Sequence, residues 1–386
     1  MKTVGILAFG EQFDGGAFQY TESMIDALRK DDSNKYVIFT RNDDCRFDDY
    51  GIEVRKVGRP EESPFRKLII LFLLLFQVRK SLFFSRKEAN HFNDIDFFIT
   101  PGASSYPHFF LNKPFILVLH DMQPKYFPEF FTLKKRIKRY IKNKALANAA
   151  FRILCESNYV KNDIVKFLKI EAGKIKIIQS PPPEKFVNYK FDGNKFSEIQ
   201  KKYGLPAKFL LYPAQTWFHK NHIRLIEAFR IVAEHRNDVH LILTGAKRDN
   251  HENVLGKIEE LGLNEKVVHV GYLDYEDLPY VYKMSKMLVM PSLFESISIP
   301  VFEAFALKVP VCCSNVVALP EQIGDAGLLF DPFDVEDMAF KILKILDDEI
   351  LAKSLAEKGY KRLKKYSHQD YKEELRHVLA AITTTL

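Results

Sequence analysis

Disulfides, metal clusters and membrane spans have little to work with in this sequence. Four cysteines occur in 386 residues, Cys45, Cys155, Cys312 and Cys313, and no pair has metal-ligand spacing. Cys312 and Cys313 are adjacent in an apolar run and read as buried free thiols, which suits a reducing compartment. No apolar stretch reaches the roughly 18–20 residues of a membrane span. The nearest is nine residues, Leu68 to Phe76, flanked by Arg66-Lys67 and Arg79-Lys80. The opening apolar run is too short for a signal peptide and ends at Glu11, so it reads as a buried strand and the chain as cytoplasmic. There is no fixed-period repeat and no low-complexity tract. The absence of a GxGxxG fingerprint gives no support to a nicotinamide cofactor. No Ser/His/Asp set with a nucleophile elbow is visible. No nucleic-acid-reading motif accompanies the basic residues, so nucleic acid is not an expected partner.

What is present is the alternation of a layered α/β protein. The chain exceeds what one ordinary core holds, and two domains of roughly 150–200 residues are expected. Hydrophobic residues make up 47% and charged residues 28%, a composition that can bury two cores. In the first half, strands read at 4–9, 36–40, 95–100, 115–119 and 152–155, with a helix over 17–29. In the second half they read at 209–213, 240–244, 267–270, 287–290 and 309–313, with helices over 223–235 and 252–261. Such alternation predicts parallel sheets with helices on both faces. Ser180-Pro181-Pro182-Pro183 interrupts it, because proline continues neither a helix nor an inner strand. The expected division is 1–183 and 184–386, two doubly wound Rossmann-like domains, with terminal helices of the second able to pack back on the first. Ligands of such domains sit beyond the C-terminal strand ends, and a cleft between two of them is the default site.

Two segments can carry chemistry. In the first, a strand ends at Met290-Pro291-Ser292, a loop carries Glu295, Pro300 fits the first turn of a helix, and Glu303 follows. Two carboxylates in a Glu-x7-Glu pattern can accept hydrogen bonds from the hydroxyls of a ribose and a sugar. Loop amides and a helix N-terminus favour a diphosphate beside them. The competing reading is a surface helix with two glutamates. In the second segment, Tyr212 to His222, Lys220 stands at a helix start near strand ends, where it can cancel phosphate charge and stabilise a leaving diphosphate. The competing reading is a solvated loop lysine.

Taken together these segments resemble the retaining GT-B glycosyltransferases, the group 1 or family 4 type that includes sucrose synthase-like enzymes and bacterial lipopolysaccharide and mannosyl transferases. The resemblance covers nearly the whole chain and is strongest from Tyr212 to Pro332, in the ordered set YPAQ, HKNH, PSLFE, PVFEAFALKVPV and LPEQIGDAGLLFDP. It implies a nucleotide-sugar donor, UDP- or GDP-linked, and a glycan or lipid-linked acceptor in polysaccharide or cell-envelope synthesis. It implies that Glu303 holds the ribose hydroxyls, Glu295 contacts the transferred sugar and Lys220 binds the diphosphate. The loop Ser296-Ile297-Ser298-Ile299 corresponds to one whose backbone amides approach sugar and phosphate. Gly15 and Gly16 correspond to a glycine turn facing the diphosphate and acceptor, with a plain turn as the competing reading. His120 corresponds to a histidine reaching the donor sugar, with a strand-end cap as its rival. Tyr272 and Leu273, after Gly271, correspond to the loop that receives the base.

Two departures stand out. Gln215 occupies a position, five residues before the lysine, where many family members carry an arginine, so one cation is missing. Ser296 and Ser298 replace glycines, at a backbone cost if the loop needs positive φ. Metal independence is expected. Asp94-Ile-Asp96 has the Asp-x-Asp shape of the other glycosyltransferase fold, but it opens an apolar strand.

The net charge is +7 and unevenly spread, with eight basic residues and one acid from Lys125 to Lys144. Leu133, Ile137, Ile141 and Ala145 make an apolar stripe, and the basic residues from Lys134 to Lys144 surround it. Such a helix can lie on an anionic membrane surface, giving peripheral attachment to the inner face. The competing readings are a solvated basic face and, for residues 68–76, a core helix. Rival functions on the same architecture are a nucleotide-sugar epimerase and a non-catalytic sugar-nucleotide-binding scaffold.

Overall fold

The computed structural model describes residues 1–9, 16–41, 46–57, 64–77, 90–104, 113–187 and 189–384. Two compact units divide the chain. The first comprises Met1–Ser180 with His368–Leu386, and the second Pro181–Ser367.

The first unit holds strands β1 (Thr3–Leu7), β2 (Lys35–Arg41), β3 (Glu53–Val57), β4 (Phe97–Thr100), β5 (Phe115–Val118), β6 (Arg152–Cys155) and β7 (Ile175–Ile177). They form one parallel sheet in the order β3-β2-β1-β4-β5-β6-β7. Its inner strands are continuous apolar runs, as a sheet covered on both faces requires. Side chains alternate between two cores. Val4 and Ile6 pack with Met24 and Ile25 on one face, and Leu7 packs with Leu117 and Leu146 on the other. Helices α1 (Gly16–Leu28), α2 (Pro64–Leu75), α3 (Leu133–Ala149) and α4 (Asn158–Leu168) flank the sheet.

The second unit repeats the design with β8 (Phe209–Pro213), β9 (His240–Thr244), β10 (Val267–His269), β11 (Met287–Met290), β12 (Val311–Ser314) and β13 (Leu328–Phe330). The order is β10-β9-β8-β11-β12-β13, again parallel throughout. Its helices include α5 (Lys195–Tyr203), α6 (His222–His235), α7 (His251–Glu260), α8 (Leu278–Met284) and α9 (Ile299–Ala306).

The division falls at Ser180 rather than after Pro183, and the chain end returns to the first unit. The cause is the last helix, His368–Thr383, whose Tyr371, Leu375, Val378, Leu379 and Ile382 recur at helical spacing and fill one core of the first sheet. In each sheet the winding reverses once, between β1 and β4 and between β8 and β11. At such a switch point the loops beyond the strand ends part to leave a crevice.

Candidate functional site

The switch point of the second unit collects the charged residues. Lys220 lies in the loop after β8, and Glu295 in the loop after the neighbouring β11. Lys220 Nζ donates to Glu295 Oε1 at 2.5 Å. The backbone around Lys220 is tied down from three sides. The buried Tyr212 hydroxyl, on β8, donates to the Lys220 carbonyl at 2.7 Å and lies 3.2 Å from Ser292 Oγ of the β11 loop. Leu293 N donates to the His219 carbonyl at 2.8 Å. Asn221, buried and left-handed at φ 58°, caps α6 and reaches two further loops. Its Nδ2 donates to the carbonyls of Pro291 and Pro332 at 3.0 and 2.9 Å, and its Oδ1 accepts from Arg224. An asparagine tolerates this backbone region better than most residues and makes the three bonds at once.

Glu303 is buried on α9, where its Oε2 accepts from the Tyr282 hydroxyl at 2.7 Å. Helix α9 starts directly after the loop that carries Glu295, with Pro300 in its first turn. That places a helix N-terminus, with its partial positive charge, beside the Lys220–Glu295 pair. The loop itself departs from expectation. Neither Ser296 nor Ser298 has positive φ, and Ser298 sits at φ −113°, so the two serines carry no left-handed cost. The Ser298 amide is also not available to a phosphate, because it donates to Gln322 Oε1 at 2.9 Å while Gln322 Nε2 donates to the Ser298 carbonyl at 2.7 Å. The amides of Ser296, Ile297 and Ile299 donate to no acceptor among the described residues.

Around β10 the Tyr272 ring is exposed, whereas the Leu273 side chain belongs to the core, so only the Leu273 backbone can meet a ligand. Gln215 follows β8, and its Oε1 accepts from Trp217 Nε1 at 3.0 Å and from Arg248 Nε at 2.9 Å. Burial, and then the positive charge of Lys220, pushes the His219 ring down to about 3, so a neutral imidazole accompanies the lysine.

In the first unit, Gly15 lies outside the described residues, and Gly16 opens α1. His120 follows β5. Its Nδ1 lies 3.2 Å from Glu156 Oε2 and its Nε2 lies 2.7 Å from the Pro101 carbonyl. Burial opposes a charged ring, but the Glu156 carboxylate and the Pro101 carbonyl outweigh it and raise His120 above its ordinary value. Both ring nitrogens are engaged within the unit. Asp94 and Asp96 serve the fold. Asp94 takes both Nη groups of Arg55, at 2.6 and 2.7 Å, and Asp96 accepts from the Thr3 amide at 2.7 Å. Cys155, Cys312 and Cys313 are free and buried, while Cys45 lies outside the described residues.

Sequence reasoning singled out Lys220, Glu295 and Glu303 and missed Tyr212, Asn221, Ser292 and Tyr282, which brace them, Gln322, which holds Ser298, and Arg248, which bonds Gln215. One signal was at hand for Asn221, an asparagine directly before a helix.

Comparison with known proteins bears on the family and the fold. The family model for glycosyl transferases group 1 matches residues 195–362, and that for glycosyltransferase family 4 matches 14–181. O-antigen chain mannosyltransferase B of Escherichia coli is 30% identical over 291 residues, 74% of this chain and 74% of that protein. The crystal structure of Anabaena HepE in complex with UDP and glucose matches with a TM-score of 0.79 at 15% identity, over 99% of this chain and 100% of that one. Sucrose-phosphate synthase from Thermosynechococcus elongatus matches at 0.78 with 18% identity, over 100% of both. At those identities the solved structures speak for the fold. The sheets, the two family models and the E. coli relative agree that this chain belongs to the group 1 or family 4 glycosyltransferases and is a glycosyltransferase of the GT-B fold.

Proposed function

We propose that the enzyme transfers a hexose from a UDP- or GDP-linked donor, with retention, to a glycan or lipid-linked acceptor in polysaccharide assembly. The E. coli relative, a mannosyltransferase of O-antigen chains, favours mannose as the sugar. The observation that carries the donor assignment is the Lys220–Glu295 pair at 2.5 Å, set at the switch point beside the start of α9.

In this reading Glu303 accepts the ribose hydroxyls and Glu295 accepts a hydroxyl of the transferred sugar. Lys220 then exchanges part of its contact with Glu295 for the diphosphate. As the anomeric carbon–oxygen bond to phosphate breaks, negative charge grows on the leaving oxygen, and Lys220 and the α9 N-terminus stabilise it. The new bond to the acceptor oxygen forms on the same face, and the acceptor proton passes to the leaving phosphate. No carboxylate is then needed as nucleophile, in contrast to the paired carboxylates of retaining hydrolases. The stabilising cations are side chains, so activity is expected to survive EDTA. Loss on chelation and return with magnesium or manganese would move that role to a metal.

The test is thermal shift with UDP, GDP, ADP and their common sugars, run beside Lys220→Ala. A nucleotide at 100 times its dissociation constant adds about 2.7 kcal/mol. Stabilisation of the wild type by one nucleotide, largely lost in the variant, supports the assignment. No shift with any of them at millimolar concentration overturns it.

A second reading, peripheral attachment to an anionic membrane, rests on the first unit's surface. Helices α2 and α3 pack together. They leave Leu68 and Leu133 each 65% exposed, Phe72 and Phe76 each 59%, and Ile137 50%. Leu133, Ile137 and Tyr140 line a pocket with Met122, rimmed by Lys125, Arg136 and Arg139. Among the described residues no helix is long and apolar enough to cross a membrane. Flotation with anionic liposomes is the check, and absence of binding sinks this reading.

A further inference from the structure

A donor diphosphate brings at least two negative charges into a site whose formal charges do not welcome it. Lys220 is already bonded to the Glu295 carboxylate, and a second carboxylate, Glu303, lies on the helix that follows that loop, so a further cation is required. The structure offers one from the neighbouring strand. Sheet order puts β9 directly beside β8, on the side away from β11. The segment after β9 is laced to the segment after β8 by four bonds. Ala214 N donates to the Thr244 carbonyl at 2.8 Å, Thr216 N to the Ala246 carbonyl at 3.2 Å, Arg248 N to Thr216 Oγ1 at 2.7 Å and Asn250 N to the Thr216 carbonyl at 3.0 Å. Gly245 permits this approach. It sits at φ +128°, and a Cβ there would lie 2.7 Å from the Ala214 backbone. The lacing delivers the Arg248 side chain to Gln215, whose Oε1 accepts from Nε at 2.9 Å, and the guanidinium carbon lies 5.2 Å from the centre of the Trp217 ring.

We propose that Arg248 is the second cation of the donor site and binds the diphosphate opposite Lys220, with Gln215 and Trp217 as its positioning residues. Resting on the donor reading above, this names a phosphate-binding residue outside the loop that carries Lys220. Gln215 suits the role because its oxygen is a neutral acceptor that holds Nε, while the guanidinium's planar fork matches phosphate oxygens. An arginine at 215 would instead place like charges together. Arg224, the other guanidinium near this loop, lies on α6 itself, where it donates to Asn221 and lies over Phe333.

The experiment is calorimetric titration of the full chain with UDP and GDP, and with uridine and guanosine. The panel is wild type, Lys220→Ala, Arg248→Ala, Gln215→Arg and the double variant Gln215→Arg/Arg248→Ala. Trp217 is the chain's sole tryptophan, so its emission reports the same loop during each titration. Losing a charge-assisted contact should weaken diphosphate binding in Arg248→Ala about 10- to 100-fold, with nucleoside affinity unchanged. Moving the cation back to the lysine's own loop, in the double variant, should restore most of that loss, which a variant that merely folds poorly would not do. Diphosphate affinity unchanged in Arg248→Ala while Lys220→Ala loses it would overturn the inference and leave the donor reading standing. Equal losses for nucleoside and diphosphate would overturn it too, by assigning Arg248 to the base. Failure of the wild type to bind either diphosphate would overturn both.

Discussion

The two units are built on one plan and hold their functional residues in different ways. Both are parallel sheets that reverse winding once, yet the second packs its switch point with side chains bonded across three loops. In the first, His120 is engaged locally by Glu156 and Pro101, and the prominent feature is an exposed apolar and basic face on α2 and α3. The titrating groups differ in sign as well. Burial drives His222 down to about 3, whereas Glu156 and Pro101 lift His120. The comparison teaches that a cross-braced charged cluster and an exposed surface ask different things of the same architecture. Charge stabilisation at a leaving phosphate needs preorganised groups, while contact with a membrane or a long acceptor needs area.

The sharpest way to break that contrast is Lys220→Ala. If the second unit is the preorganised one, kcat should fall about 10²–10³-fold, as for removal of one transition-state stabiliser. A fall in kcat no larger than that of Lys138→Ala, on the first unit's surface, would erase the distinction.

Next comes the clasp. Asn221→Ala removes both bonds to the Pro291 and Pro332 carbonyls and leaves a non-glycine residue at positive φ, at a cost of about 2–3 kcal/mol. Thermal melting read from Trp217 emission should show this in the second unit. Asn221→Gly should recover the backbone part alone, and equal stability of all three proteins would remove Asn221 from the account.

A pH series sharpens the comparison by sign. His222 is neutral in the folded state, so the unfolded chain binds more protons below about pH 6.5. The stability it contributes is present above that pH and is lost as pH falls towards 3. Between pH 7.5 and 5.5 the loss is about 1.4 kcal/mol for this buried group. His120 acts in the opposite direction, with its contribution present below about pH 6.5 and lost as pH rises through its raised folded value. Protection factors, taken after correction for the intrinsic pH dependence of amide exchange, should therefore move oppositely with pH in peptides from the two units, and parallel movement would contradict the assignment.

The smallest effect is on the surface. Lys138→Ala removes one exposed charge and should weaken binding to anionic vesicles about fivefold, near 1 kcal/mol. No change at low salt would place Lys138 away from the lipid.

Much of the fold is legible because inner parallel strands are continuous apolar runs. Residues 209–213, 240–244 and 287–290 read as strands and are strands. The strands that escaped notice have physical excuses. Glu53–Val57 is a half-exposed edge strand carrying three charges, and Ile175–Ile177 and Leu328–Phe330 are three residues each. The charged residues Lys220, Glu295 and Glu303 are legible because lysine and glutamate stand just past apolar runs. The bonds that brace the surrounding loops are not, because they join residues across long separations: 24 positions between Ser298 and Gln322, 32 between Thr216 and Arg248, and 111 between Asn221 and Pro332.

By itself, then, the sequence determines the architecture and the chemical types at its loop ends, since strand burial and helix periodicity are local patterns of hydrophobicity. Only the tertiary structure decided which of those groups meet. Strands β9, β8 and β11 are neighbours in an order that differs from their order along the chain. That adjacency, with Gly245 admitting a close backbone approach and Asn221 bonding two distant carbonyls, brings Arg248, Lys220 and Glu295 to one end of one sheet.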